Sequence, residues 1–178
     1  METVIKNRVK TEVKSGSFRK LGFSALETVE IVQPMNVLLA NYHIHYQKMK
    51  NFHWNVTGND FFELHALFEE RYKEAAAHID DLAERIRVFG QTPVSTLTEY
   101  LEMAEITEVS GELRSSQMVE ETKNDLQTLL CLMVEVADAA INRGDAGTVH
   151  MMNKAIGKLE KTHWMLTAWS KADQPVFS

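Results

Sequence analysis

Residues 51–87 read NFHWNVTGNDFFELHALFEERYKEAAAHIDDLAERIR, and this stretch decides the fold of the chain. Its first residues end one helix near Gly58, and apolar residues from Phe61 onwards then recur at intervals of three and four. That spacing predicts an amphipathic helix, which extends to about Phe89 and can be capped by Gly90. At ~1.5 Å per residue this helix would be about 43 Å long. The stretch therefore contains a turn between two long helices.

The helix before this stretch is clear from its apolar stripe, but its start is not. Ser24 and Glu27 have the spacing of a capping box, which predicts a start immediately after Ser24. Pro34 instead predicts a later start or a kink, because proline lacks the N–H that a helix interior needs. Both interpretations are open on the sequence alone.

Two further long helices are predicted, at about 116–142 and 146–171, and a short amphipathic helix at 97–103 precedes them. Four long helices with one long connection, between the second and the third, describe an all-α, ferritin-like four-helix bundle. We predict that this domain spans 24–178 and follows a basic N-terminal tail, 1–23. The residues predicted to face the core from the third long helix are Leu126, Leu129, Leu130, Met133, Ala137 and Ile141.

The charge of the chain is distributed unevenly. Its formal net charge is −6 and its pI is about 5.6, which excludes a basic nucleic-acid-binding body. Residues 1–24, however, carry six basic side chains against two acidic ones, a local charge of +4 that leaves −10 for the remainder. The basic residues, which are candidate DNA contacts, are Lys6, Arg8, Lys10, Lys14, Arg19 and Lys20.

Composition also predicts the compartment. The single cysteine, Cys131, excludes an internal disulfide framework and fits a reducing environment. It lies in an apolar run, LLCLMVEV, and is expected to be a small buried residue. No apolar run reaches the roughly 18 residues of a membrane span, and the N-terminus lacks the apolar segment of a secretory signal. We therefore predict a cytoplasmic protein with no membrane partner.

The second helix has two faces of different chemistry. With about 100° per residue and His65 as zero, Glu69 lies at about 40°. Asp80 and Glu84 follow at about 60° and 100°. The apolar residues of the same helix fall between about −20° and −120°, so the potential ligands lie off the apolar stripe. A solvated flank of charges is the alternative, but it accounts less well for histidines on the same side as the acids.

Distance divides these four residues into two pairs. His65/Glu69 and Asp80/Glu84 are each spaced i, i+4, whereas Glu69 and Asp80 are separated by about 16 Å along a straight helix. Metal–ligand bonds are only about 2.0–2.2 Å long, so the two pairs cannot share an ion within one chain. A two-fold axis crossing the helix midway would bring the first pair against the second pair of a neighbour. The spacing therefore predicts two equivalent sites per dimer, each completed by two subunits.

His53, near the end of the first helix, lies across the turn and can join the His65/Glu69 half. The resulting set, with Asp80 and Glu84 from a partner subunit, mixes imidazole with carboxylate. Such donors suit Fe(II) or Mn(II), and the lack of thiolates argues against a structural zinc site. A site that holds iron with open positions can accept hydrogen peroxide or dioxygen.

At these residues the sequence resembles the Dps family, the mini-ferritins of starved bacterial cells. The likeness covers about 36–169 and is strongest at NFHWNVTG (51–58), FFELHALFEE (61–70) and DDLAERIRVFG (80–90). The spacing His-x11-His-x3-acid-x10-Asp-x3-Glu is far more specific than any motif within it. The resemblance implies a shell of twelve subunits with ferroxidase sites at the dimer two-folds. Each site would hold two iron ions between His53, His65 and Glu69 of one subunit and Asp80 and Glu84 of the other.

The resemblance also implies an activity. Dps proteins oxidise Fe(II), typically with hydrogen peroxide, and store the ferric product in the shell, which protects the cell and its DNA. The third ligand position in that family is often Asp, so Glu69 departs from the pattern by one methylene. Trp54 resembles the aromatic residue that lies near the site in that family, although interface packing explains it equally well.

Three other interpretations are open. A conventional ferritin would need Glu-x-x-His on two helices, and only one such motif occurs, at Glu160–His163. A nucleoid-coating structural protein would bind DNA through many weak, salt-sensitive contacts of the basic tail, with iron oxidation secondary. The acidic body and the apolar residues within the tail argue against it. A shell that has lost ferroxidation would be unexpected with all five ligands in place.

Overall fold

The structure, a computed structural model, describes residues 22–109 and 113–171. These ranges contain no β-strand, so the all-α prediction is confirmed, and no helix in them is long and apolar enough to cross a membrane. Residues 1–21 of the predicted basic tail lie outside the described ranges. The helices are α1 (Ala25–Asn55), α2 (Phe61–Val88), α3 (Leu97–Met103), α4 (Ser115–Asn142) and α5 (Ala146–Lys171).

Helix α1 begins where the capping box predicts. The Ser24 hydroxyl accepts a hydrogen bond from the Glu27 N–H (3.3 Å), and the Glu27 carboxylate accepts one from the Ser24 N–H (2.7 Å). These bonds satisfy two N–H groups that the start of a helix leaves unpaired. Pro34 lies inside the helix and does not end it. Helix α1 therefore starts directly after Ser24, which is the earlier of the two starts that the sequence left open.

Helix α1 is the central element of the bundle. It packs against α2, α3 and α4, and α4 packs in turn against α5. Burial of one large apolar side chain contributes about 1.5–3 kcal/mol to the free energy of folding. The many side chains buried between α1 and α2 therefore hold these two helices against each other. The largest side chains with under 2 % exposure are Tyr42, Phe52, Phe68, Ile31, Met35, Leu38, Leu39, Met49, Leu82, Ile86, Met118 and Leu129.

The long connection between α2 and α4 is bound to α1 by Asn41, a residue that is completely buried. Its Oδ1 accepts hydrogen bonds from the backbone N–H groups of Glu105 and Ile106, both at 2.9 Å. Its Nδ2 donates to the Val37 carbonyl, also at 2.9 Å. A buried N–H without a partner is unfavourable, so these bonds hold the segment after α3 against the middle of α1.

Two expectations about α4 are wrong. Ile141, predicted to face the core, is 59 % exposed. It lies about 120° around the helix from the fully buried Leu129, outside the face of α4 that packs into the core. Cys131, predicted to be buried, is exposed, because it lies about 200° from Leu129 on the outer side of the helix. The other residues predicted to face inward from α4 are buried or half-buried.

Candidate metal centre

The turn between α1 and α2 brings His53 and His65 together. The His53 Nδ1 lies 2.9 Å from the backbone carbonyl oxygen of His65, and the His65 Nδ1 lies 2.8 Å from that of His53. The two rings stack, with centroids 3.9 Å apart and an interplanar angle of 26°. The backbone of each helix therefore orients the histidine side chain of the other.

These hydrogen bonds define the tautomer of both rings. A carbonyl oxygen can only accept a hydrogen bond, so each Nδ1 must carry the proton and donate it. In the neutral imidazole the lone pair then lies on Nε2. A hydrogen bond from one ring nitrogen is typical of histidines that bind a metal through the other. His53 and His65 therefore each present a potential ligand nitrogen in a fixed orientation.

Aromatic side chains surround the two imidazoles. Phe61 stacks on His65 with centroids 5.0 Å apart, and Tyr72 packs edge-on against His53 at 5.4 Å. Trp54, predicted to lie near the site, is 61 % exposed, and Lys50 Nζ lies 5.1 Å from the centre of its ring. Phe61 and Tyr72 thus restrict the movement of the imidazoles, whereas Trp54 lies on the surface.

Glu69 lies one turn after His65 and already has a cationic partner. Its carboxylate accepts a hydrogen bond from the Lys73 ammonium, one turn further along α2. This hydrogen bond, together with the positive charge of Lys73, holds the pKa of Glu69 below its ordinary value. Glu69 is therefore ionised at neutral pH, the form that binds a metal. Sequence reasoning missed Lys73, although a Glu-to-Lys spacing of four is the pattern that reveals such a pair.

Asp80 and Glu84 lie on the exposed side of α2. Within the described ranges neither carboxylate has an ion-pair partner, and no group of three or more metal-binding His, Cys, Asp or Glu occurs in one chain. A single chain thus brings His53 and His65 together but does not bring Asp80 and Glu84 into the same group. This division is the one expected of two half-sites, and the complete ligand set stays a prediction.

An open groove of about 560 Å³ runs between α2 and α5 beside Glu84. Charges of both signs surround it, and His78 at its edge has its pKa lowered, mainly by burial. This mixture differs from the paired imidazoles and carboxylates of the predicted centre. The charged residues that line the groove are Glu74, Asp81, Glu84, Arg85, Lys154 and Lys158.

A polar cluster buried between α1 and α4 was not predicted from the sequence. The Asp125 carboxylate lies 3.0 Å from His45 Nδ1 and 2.7 Å from Lys48 Nζ, and all three residues are at most 4 % exposed. Lys48 Nζ also lies 3.3 Å from the Glu121 carboxylate. The Lys48 ammonium pairs with both carboxylates, so the cluster is an internal ion-pair network of the bundle and not an open metal site.

Comparison with known proteins identifies the family. The family model of the ferritin-like domain matches residues 33–174. A DNA protection during starvation protein of Brevibacillus brevis is 42% identical over 135 residues, 76% of this chain and 91% of that protein. General stress protein 20U of Bacillus subtilis is 38% identical over 140 residues, 79% of this chain and 97% of that one.

Solved structures agree with these relatives. The crystal structure of the Dps protein from Vibrio cholerae O1, described as a member of a broad superfamily of ferritin-like diiron-carboxylate proteins, has a TM-score of 0.83 at 33% identity. The match covers 87% of this chain and 98% of that one. A Dps protein from Bacillus brevis gives a TM-score of 0.79 at 38% identity, over 83% of this chain and 99% of that one. The chain described here belongs to the Dps family of ferritin-like proteins.

Proposed function

We propose that this protein is a ferroxidase and iron-storage protein that protects the cell and its DNA from oxidative damage. The observation that carries the proposal is the pair His53 and His65, in which each Nδ1 is bonded to the backbone of the other residue. The description of the Vibrio cholerae relative as a diiron-carboxylate protein supports iron as the metal.

Iron is both the substrate and the stored product of the proposed reaction. The proposed donors are the Nε2 atoms of His53 and His65 and the carboxylates of Glu69 and of a neighbour's Asp80 and Glu84. Fe(II) accepts imidazole and carboxylate ligands together. Five side chains shared between two ions leave coordination positions open, and an oxidant needs such positions.

The proposed site needs a second subunit. Glu69 and Asp80 are about 16 Å apart along α2, several times the length of a metal–ligand bond. A two-fold axis across α2 would unite the halves. Trp54, Phe62 and Val88, which are 61 %, 81 % and 40 % exposed on the α1–α2 hairpin, support a surface that a neighbour covers. We extend this to a shell of twelve subunits, whose cavity would hold the ferric product.

In the proposed reaction, one hydrogen peroxide molecule takes one electron from each of two Fe(II) ions. The O–O bond breaks, two protons are taken up, and two water molecules leave. Because two ions supply both electrons, no hydroxyl radical is released. Dioxygen is the alternative oxidant.

Removal of the Asp80 or the Glu84 carboxylate tests the proposal. Asp80→Ala and Glu84→Ala are expected to slow peroxide-driven Fe(II) oxidation about tenfold or more, because each removes a ligand and leaves the core intact. The ferric product is followed by its absorbance, and assembly is checked by molecular mass. Glu63→Ala, which removes an exposed acid of α2 about 200° from His65, should keep the wild-type rate. Rapid, unaltered oxidation by both site variants would contradict the assignment.

A nucleoid-associated, DNA-coating role is the second candidate function, with iron oxidation secondary. It is favoured by the six basic residues within 1–20. The relative from Brevibacillus brevis carries the name DNA protection during starvation protein. Many copies of a basic segment on one assembly would multiply weak contacts with phosphates.

A gel shift with duplex DNA tests this second candidate. The intact oligomer is expected to retard DNA at low salt and to release it at high salt, because phosphate contacts weaken as salt increases. A chain without residues 1–20 should cause no retardation at either salt concentration. If the intact oligomer leaves DNA unretarded at low salt, the DNA-coating role is excluded.

A further inference from the structure

Lys73 and Glu69 form an ion pair on α2 in which the ammonium occupies a proposed iron ligand. The Lys73 side chain is 63 % exposed and that of Glu69 is 39 % exposed. Glutamate four residues before lysine is the favourable orientation for an ion pair along a helix. In the part of the chain that the structure describes, Lys73 is the only cation paired with Glu69.

We propose that Lys73 weakens the iron position that Glu69 serves, so that the two Fe(II) ions of one site load with unequal affinity. This inference rests on the proposed function and adds a determinant of how the site fills. An ion at that position must share the Glu69 carboxylate with the ammonium, which is bonded to Oε1, or displace it. The bound ion then remains close to a positive charge, which opposes its binding.

The competition is confined to Glu69. The hydrogen bonds of His53 and His65 within the described ranges run from Nδ1 to carbonyl oxygens and not to a cationic side chain. Asp80 and Glu84 have no ion-pair partner within the described ranges. Lys73 therefore acts on one of the five proposed ligands, and its removal should change one metal-binding step and not the other.

The size of the effect follows from the exposure of the pair. Exposed ion pairs on helices are weak, and water screens the repulsion between an ammonium and a divalent ion. Removal of the Lys73 charge should therefore tighten the weaker step about three- to tenfold, and not by orders of magnitude.

Calorimetric titration of the assembled protein with Co(II), without oxidant, tests the inference. Co(II) accepts the donors that Fe(II) accepts and measures binding without turnover. The wild type is expected to bind in two unequal steps, and Lys73→Met to tighten only the weaker one. Lys73→Arg, which keeps the charge, should resemble the wild type. A control away from the site is Lys123→Met on α4, where Lys123 Nζ lies 2.7 Å from the Glu120 carboxylate, and it should bind Co(II) as the wild type does.

A double variant shows whether Lys73 acts through Glu69. In a Glu69→Gln background, Lys73→Met should tighten binding less than it does in the wild type, because the carboxylate for which the ammonium competes is absent and only the screened repulsion remains. An equal gain in affinity with and without Glu69, or no gain at all, would overturn the inference and leave the proposed function intact. Failure of the wild-type oligomer to bind Co(II) would overturn the proposed function itself.

Discussion

Backbone carbonyl groups, and not acidic side chains, orient the two histidines of the candidate centre. A carboxylate at Nδ1 would define the same tautomer but would add a negative charge beside the site. A carbonyl defines the tautomer and adds no net charge. The negative charge of the proposed site therefore comes from Glu69, Asp80 and Glu84, and the ammonium of Lys73 partly offsets it at Glu69.

The buried cluster of Asp125, His45 and Lys48 serves the stability of the bundle. Lys48 is 4 % exposed, and its ammonium pairs with Asp125 and with the side chain of Glu121, which is 39 % exposed. Asp125 thus satisfies two buried groups on α1 at once. Removal of one member of such a cluster leaves a buried charge without its main partner, and this is strongly unfavourable.

Asp125→Ala is therefore expected to lower the free energy of unfolding by about 3 kcal/mol. The measurement is urea denaturation at a fixed protein concentration, because association also contributes to stability. Asp138→Ala, which removes an exposed acid from the same helix, should stay within about 0.5 kcal/mol of the wild type. A loss of less than about 1 kcal/mol for Asp125→Ala would show that the ion pair does not stabilise the core.

At the scale of helices, the sequence predicts most of the fold because nearly every boundary has a local signal. The capping box of Ser24 starts α1, and Gly90 and Gly144, with φ of 79° and 71°, follow the ends of α2 and α4. Helices α3 and α5 have the predicted bounds, and α4 begins one residue earlier than predicted. The errors at Cys131 and Ile141 arise because composition identifies an apolar segment, whereas the angle around the helix decides which of its residues are buried.

The candidate centre is predictable only where spacing along one helix encodes it. His53 and His65 are expected to be neighbours because a short turn separates their helices. Their bonds to each other's backbone depend on how closely α1 and α2 pack, which no local pattern encodes. The pair of Lys73 with Glu69 follows from a spacing of four. In the proposed dimer, the positions of Asp80 and Glu84 relative to the histidines of the same site are set by the second subunit.

At the scale of the whole molecule, we expect that neither subunit of a dimer is active alone. An isologous dimer has two equivalent sites, each made of one half from either subunit. His65→Ala damages one kind of half and Glu84→Ala damages the other. When the two variants form a dimer together, one site carries both changes and the other site carries none. A mixed dimer should therefore keep one working site, whereas each variant alone has none.

Co-assembly of the two variants tests this sharing of ligands. If equal amounts are unfolded together and reassembled at random, half of the dimers are mixed and each has one intact site of two. The rate of Fe(II) oxidation should then recover to about a quarter of the wild-type rate. The variants assembled separately and combined afterwards, without exchange of subunits, should stay as slow as either alone. A site contained within one chain would give no recovery after co-assembly, because every chain would carry a damaged site, and this result would disprove the shared centre.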